Sequence, residues 1–188
     1  MTLTAVLLAG GESRRMGREK ATIEFEGRPL WERQLGILRA VGPETIFVSA
    51  RTRPPWLPDE VELLLDDSPS RGPLSGLAKA LATIQTTHLI ALAVDMPFMT
   101  SGQLGVLCGW AAEGRGVIPV VADRAEPLAA IYPAEAAGDF ATALVGSDFS
   151  LQRVVRTLAG DQKVRLVSIP PEHAHFYRSV NEPGDLQL

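Results

Sequence analysis

Apolar residues along this chain fall into two recurring patterns. Short runs that are apolar almost throughout lie at 3–9, 45–50, 61–65, 89–94, 116–122, 128–132 and 164–169. Runs of this length, bounded by Gly, Asp or Pro, read as strands buried on both faces. Between them lie stretches with helical spacing. Trp31, Leu35 and Leu38 follow Pro29, whose missing N–H suits a helix start, and Gly42-Pro43 stops the pattern. Leu74, Leu77, Ala78, Leu81 and Ala82 make an i, i+3, i+4, i+7, i+8 stripe. Thr100 with Gln103 predicts a capping box, with Leu104, Leu107 and Ala111 as the inner face. Ser150 predicts the cap of a helix that turns Leu151, Val154, Val155 and Leu158 inward, with Gly160 past its end. A last short helical piece is expected after Asn181-Glu182-Pro183.

Strands alternating with amphipathic helices predict an α/β architecture around a mainly parallel sheet. Ligands of such sheets gather outside the carboxyl ends of the strands. The polar residues that break the apolar runs fall there: Gly10 to Lys20 after the first, Ser49 at the end of the second, Asp66-Asp67 after the third and Asp95 after the fourth.

Composition narrows the class of partner. The chain has 188 residues, 46% hydrophobic and 21% charged, which suits one globular domain over 1–188. A net charge of −4 argues against nucleic acid or an anionic membrane as partner. No apolar run reaches the roughly 18–20 residues that span a bilayer. Met1 leads directly into a strand pattern, without the order of a signal peptide. The single cysteine, Cys108, excludes an internal disulfide and fits a reducing compartment. A cytoplasmic protein is expected.

Three segments carry chemistry. In Leu8-Ala9-Gly10-Gly11-Glu12-Ser13-Arg14-Arg15-Met16-Gly17-Arg18-Glu19-Lys20, glycines let the backbone N–H groups approach an anion, while Arg14, Arg15, Arg18 and Lys20 supply positive charge. The spacing is neither a Walker A loop nor Gly-x-Gly-x-x-Gly. In Val94-Asp95-Met96-Pro97, a carboxylate leaves an apolar strand and needs a cation or donors. Mg²⁺, bound by one carboxylate plus substrate phosphates, meets that need; capping of the next turn is the plainer reading. Asp66-Asp67, followed by Gly72-Pro73-Leu74-Ser75-Gly76, suits either a ribose hydroxyl with a base edge against the backbone or a solvated turn before a helix.

Taken together with Val180-Asn181-Glu182-Pro183-Gly184-Asp185-Leu186, these motifs resemble the molybdenum cofactor guanylyltransferases, the MobA-type nucleotidyltransferase family. The resemblance runs from Leu8 to Leu186. The first motif is shared with sugar-phosphate and cytidylyl enzymes, whereas the order and spacing of all four favour the guanylyl family. It implies a three-layer, Rossmann-like nucleotidyltransferase fold with a mainly parallel, mixed sheet. It also implies a Mg²⁺-dependent reaction in which GMP passes from GTP to the terminal phosphate of molybdopterin and pyrophosphate leaves, with other molybdenum cofactor assembly proteins as possible partners.

By the same resemblance Leu8, Ala9, Gly10 and Gly11 contact the nucleotide, as do Ser49 and Asp67. Lys20 steadies the triphosphate, and Asp95 is the metal ligand. Arg15 has a part in transfer, and Arg153 and Asn181 bind the acceptor. Two positions depart from the family pattern: Ser49 stands for an Asn, and Ser179-Val180-Asn181 for an Asn-x-Asn pair. A related cytidylyl- or sugar-phosphate transferase is the nearest other reading, and a non-catalytic nucleotide-binding regulator is one of another class.

The remaining candidates read as structural. Cys108 falls on an apolar helix face. His173 and His175 lack zinc-ligand spacing, and His88 opens a strand. Trp31, Trp56 and Trp110 read as packing residues. Asp123-Arg124-Ala125-Glu126 reads as a hairpin turn, or as a lip over an acceptor pocket.

Overall fold

A computed structural model describes residues 1–10, 19–67, 69–180 and Asp185. In chain order the elements are β1 (Leu3–Leu8), β2 (Glu24–Phe25), β3 (Arg28–Pro29), α1 (Leu30–Val41), β4 (Thr45–Ala50), β5 (Glu62–Leu65), α2 (Pro73–Thr83), β6 (His88–Ala93), α3 (Ser101–Trp110), β7 (Gly116–Val121), β8 (Arg124–Ala125), β9 (Ala129–Pro133), α4 (Ala137–Val145), α5 (Leu151–Gly160) and β10 (Val164–Ser168). Among the described residues the main sheet runs β10-β7-β9-β6-β1-β4-β5, with β8 added to β7. β6, β1, β4 and β5 are parallel, as are β7 and β10. β9 runs against both of its neighbours, which makes the sheet mixed.

Strand residues alternate between two cores. Ala5 and Leu7 of β1 and Ile90 and Leu92 of β6 join Leu30, Leu35, Leu38, Leu104 and Leu107 on the α1–α3 face. Val6, Leu8, Leu89 and Ala91 face Leu74, Leu77, Leu81, Phe140, Val154 and Leu158 on the α2–α4–α5 face. Covering on both faces is why these strands are apolar at every position but Thr4 and His88. Tyr132 and Phe140 meet edge to face at 5.2 Å in the second core.

Several local expectations shift. Ala82 is exposed, and the buried positions of α2 include Ser75, Gly76 and Ala80 instead. Pro29 pairs in β3 and precedes the helix rather than opening it. The capping box is half made: Gln103 N–H donates to Thr100 Oγ1 at 3.1 Å, while the Gln103 amide turns away to donate to the Tyr177 hydroxyl. The Ser150 hydroxyl makes no cap bond to α5, and Gly160 ends that helix from inside. Helix α4 carries no clear sequence signal, because its Ala and Gly residues bury little and leave Phe140 as its buried position. The helical piece expected after Asn181 falls outside the described residues.

The readings of structural residues hold for His88, Cys108, Trp31 and Trp56, whereas Trp110, read as a packing residue, is 40% exposed at the end of α3. His88 is fully buried, with its ring nitrogens 3.0 Å from Thr87 Oγ1 and from the Ala112 carbonyl. Trp31 and Trp56 stack at 5.3 Å. Cys108 is 8% exposed, and burial pushes its thiol up to about 11. At pH 8 only about one thiol in a thousand would then be ionised. Cys108 is therefore expected to resist an aromatic disulfide reagent in the native protein and to react once denaturant unfolds it. Fast labelling without denaturant would contradict this.

Candidate active site

Register brings the chemistry together. Leu8 lies beside Ser49 on one side and Ala93 on the other, so β1, β4 and β6 end at one level. Three backbone bonds lock that rim: Ala9 N–H to the Ser49 carbonyl (2.9 Å), Asp66 N–H to the Ala50 carbonyl (3.0 Å) and Val94 N–H to the Leu8 carbonyl (3.1 Å). Beyond them opens a cleft lined by Leu8, Ala9 and Gly10, by Lys20, by Ser49 and Asp66, by Gly72 and Pro73, and by Ala93 to Asp95, with Leu128 across from them. It sits where an open α/β sheet binds ligands, outside the carboxyl ends of its strands.

Lys20 and Asp95 meet in this cleft. Lys20 Nζ donates to Asp95 Oδ2 at 2.8 Å, 75 residues apart in sequence. Lys20 begins a short 3₁₀ turn, Lys20–Thr22. Its neighbour Glu19 accepts from the Trp56 indole at 2.9 Å, tying this end of the basic segment to the Trp31–Trp56 stack.

Asp95 is held from three directions. Val180 N–H donates to the Asp95 carbonyl at 2.8 Å. The Gln34 amide donates to the Met96 carbonyl at 2.5 Å, and Arg33 Nε to the Pro97 carbonyl at 2.7 Å. Gln34 is fully buried, and its Oε1 has no partner among the described residues. Burying an amide in the first core costs free energy unless it makes bonds, so its bond to the Asp95–Pro97 turn is what justifies its place. Gln34 carries no sequence signal beyond being polar at a buried position of α1.

On the other side, Asp66 rather than Asp67 faces the cleft. Asp66 accepts from Ser49 Oγ and Ser70 Oγ, both at 2.9 Å. Ser70 Oγ in turn accepts from Gly72 N–H at 3.2 Å, and Ser75 Oγ from Arg71 N–H at 2.8 Å. Gly72 has φ 64° and ψ −142°, a conformation open only to glycine, and it turns the chain into α2 at the cleft wall. Asp67, which the resemblance makes a nucleotide contact, is exposed and pairs with Lys79 at 3.1 Å. Both residues lie just past β5; Asp66 is fixed by its backbone bond to Ala50 and by the two serines, whereas Asp67 continues outward.

A wider groove continues from Asp95 toward β8 and α5. It shares Pro73, Asp95 and Leu128 with the cleft and adds Arg124, Glu126, Phe149, Gln152, Tyr177 and Ser179. The hairpin turn is Ala122 (φ 46°) and Asp123 (φ 65°), earlier and shorter than the Asp123–Glu126 turn expected from the sequence; Arg124 and Ala125 pair with β7 as β8, and Arg124 and Glu126 lie at the groove edge. Burial raises the Glu126 carboxyl above its ordinary range, against the opposing pull of Arg124. Burial also raises Tyr177, opposed by the bond from Gln103 and helped by the charge of Glu126.

Arg153 is not in this groove. It projects from the other side of α5, 3.7 Å from Asp148, in a depression between α4 and α5. At about 100° per residue around a helix, its neighbour Gln152 takes the groove side instead, donating to the Ala125 carbonyl at 2.8 Å. Gly11, Arg14, Arg15, Arg18 and Asn181 lie outside the described residues.

The donor set bears on a metal. Among the described residues no group of three or more His, Cys, Asp or Glu is arranged to hold one. Asp66 already accepts from two serines. The carboxylate of Asp95 is therefore the ligand this cleft offers a hard cation, and such a site suits an ion that takes its other oxygens from substrate phosphates and water.

Cleft and fold together define an α/β nucleotidyltransferase. Residues 5–168 match the MobA-like NTP transferase domain, and the chain belongs to that family. It is 37% identical over 186 residues to the probable molybdenum cofactor guanylyltransferase of Opitutus terrae, covering 97% of this chain and 92% of that protein. Its fold matches that of molybdopterin-guanine dinucleotide biosynthesis protein A from Archaeoglobus fulgidus with a TM-score of 0.74 at 22% identity, over 98% of this chain and 95% of that one. It also matches 4-diphosphocytidyl-2C-methyl-D-erythritol synthase from Anaerococcus prevotii with a TM-score of 0.72 at 13% identity, over 98% and 92%. No helix among the described residues is long and apolar enough to cross a membrane.

Proposed function

We infer that this protein transfers GMP from GTP to the terminal phosphate of molybdopterin, giving the guanine dinucleotide form and releasing pyrophosphate. The carrying observation is the Lys20–Asp95 pair in a cleft at the carboxyl ends of β1, β4 and β6. The names borne by the family relatives support guanine and molybdopterin as the substrates.

The chain's own groups then divide the work. The rim at Leu8, Ala9 and Gly10 receives the nucleotide, with Ser49 and Asp66 ordering that side. Lys20 neutralises triphosphate charge, joined by Arg15 and the other arginines of the basic segment. Asp95 is the ligand for Mg²⁺, which when bound would neutralise charge developing around the α-phosphate. The groove past Asp95 holds the acceptor in line with that phosphate. No nucleophilic side chain is required, because the acceptor phosphate is already ionised at neutral pH. Catalysis is then positioning and electrostatic stabilisation. This chemistry suits the cytoplasm, where other molybdenum cofactor assembly proteins would deliver the acceptor.

Calorimetric titration with GTP, CTP and ATP in Mg²⁺ tests the nucleotide. GTP is expected to bind at least about tenfold tighter than the others, as expected when a polar site leaves unmade bonds with the wrong base. Pyrophosphate is expected only when molybdopterin is added with GTP. Preference for CTP, or turnover with a sugar phosphate in place of molybdopterin, would overturn the assignment.

A further inference from the structure

One carboxylate beside the cleft has no task in the scheme above. Glu126 sits where strand pairing is interrupted. β8 pairs with the end of β7 (Val120 with Ala125, Val121 with Arg124) and β9 with its beginning (Val117 with Ile131). Glu126, Pro127 and Leu128 lie between the two paired stretches. Their backbone is fixed: Glu126 N–H donates to the Pro119 carbonyl at 2.8 Å, the Tyr132 hydroxyl to the Pro127 carbonyl at 2.7 Å and Ala93 N–H to the Leu128 carbonyl at 2.8 Å. Interruptions of this kind re-aim side chains, and they recur beside active sites. Here the segment lines the groove that continues from Asp95.

The Glu126 carboxylate is half-buried, yet no hydrogen bond or ion pair holds it among the described residues. A desolvated carboxylate without donors costs free energy, and a site that tolerates this cost is shaped for donors that arrive with a ligand. The groove is lined also by Phe149, Tyr177 and Leu128, and the Arg71 guanidinium lies over the Phe149 ring at 4.1 Å.

From the half-buried carboxylate lining this groove, we propose that Glu126 reads the heterocycle of the acceptor, its two carboxylate oxygens receiving two adjacent N–H groups on one edge of a flat, nitrogen-rich ring. A 2-amino-4-oxo pterin ring presents such an edge, at N3–H and the 2-amino group, so the assignment rests on the acceptor proposed above. Guanine carries a similar edge. The nucleotide side of the cleft, however, is built from Ser49, Asp66 and Gly72, while Glu126 lies in the groove that leaves Asp95 toward β8 and α5.

Glu126→Gln tests this in the full-length protein. The amide keeps one acceptor and turns a donor toward the donors of the ring. Binding of free pterin, followed by its fluorescence, is expected to weaken by about tenfold or more, the scale of one lost charge-assisted bond. The KM for molybdopterin in pyrophosphate release is expected to rise by a similar factor, with the affinity for GTP unchanged. Because no hydrogen bond or ion pair holds the carboxylate among the described residues and burial outweighs the pull of Arg124, the variant is expected to melt at or above the wild-type temperature. A clear drop in melting temperature, an unchanged pterin affinity, or a shift that falls on GTP instead would each overturn the proposal. Absence of pyrophosphate release by the wild-type protein with both substrates would defeat the assigned reaction, while the pterin titration would still decide the role of Glu126.

Discussion

Asp95→Ala is expected to lower kcat for pyrophosphate release by about two to three orders of magnitude while leaving a folded protein. The magnitude is that of losing a fixed charge from a site whose chemistry is electrostatic, where each factor of ten is about 1.4 kcal/mol of transition-state stabilisation. Asp95 is the carboxylate that this cleft offers a cation, and its backbone is pinned by Val180, while Gln34 and Arg33 hold the two residues that follow. These bonds come from backbone groups and neighbouring side chains, so removal of the carboxylate leaves the turn in place. Lys20 loses its bond to Asp95, but 18% of its side chain is exposed and water reaches it. The loss of stability should therefore be small. Asp95→Asn separates charge from shape: the same size with one neutral amide is expected to show nearly the same loss of turnover. Single-turnover rates at saturating GTP, with circular dichroism as a check of folding, decide the matter. Near-normal rates in excess Mg²⁺ would remove Asp95 from the mechanism.

Gly76→Ala is expected to destabilise the protein by about 1–3 kcal/mol, the scale of an overpacked core, although alanine favours helix over glycine by about 1 kcal/mol. A Cβ at this position would collide with Ser49 Oγ and stand 2.8 Å from Leu8 Cδ2 and 3.1 Å from Ser49 Cβ. Both neighbours belong to the strand ends that form the nucleotide rim. Relief by turning the Ser49 hydroxyl would break its bond to Asp66, so the KM for GTP is expected to rise along with the loss of stability. Gly36 on α1 is the control. Nothing lies within 4 Å of a Cβ there, and Gly36→Ala is expected to stabilise by roughly 0.5–1 kcal/mol. Denaturant midpoints for the two variants test the pair. Equal and opposite-to-expected shifts, with Gly76→Ala the more stable, would show that α2 moves freely against the sheet.

Elements whose burial pattern differs sharply between faces were legible in the chain. The runs at 3–9 and 89–94 meet helices on both faces and are apolar at every position but Thr4, so their burial needed no coordinates. α4 was not legible: it buries Phe140 behind alanines and glycines, and small residues make no periodic contrast. Within the site, Lys20 and Asp95 stood out because charge next to a buried strand end is costly, and the structure brings them to 2.8 Å. Gln34 and Gln152 did not stand out, and Asp66 stood out only as one of a pair with Asp67. The role of each depends on what lies opposite, namely the Met96 carbonyl, the Ala125 carbonyl and two serine hydroxyls.

By itself, the order of residues determined the layering of the molecule and pointed to the end of the sheet at which Lys20 and Asp95 lie. Those follow from local physics: the period of the apolar residues, the reluctance of charge to be buried, and the freedom of glycine. Which member of a neighbouring pair lines the cleft or the groove was decided only in three dimensions. Asp66 rather than Asp67 lines the cleft because Ser49 and Ser70 hold it there, and Gln152 rather than Arg153 lines the groove because a helix turns about 100° per residue. The same holds for Glu126, which enters the groove only because pairing with β7 lapses between β8 and β9. Such choices depend on register and on partners far away in sequence, and no local window contains them.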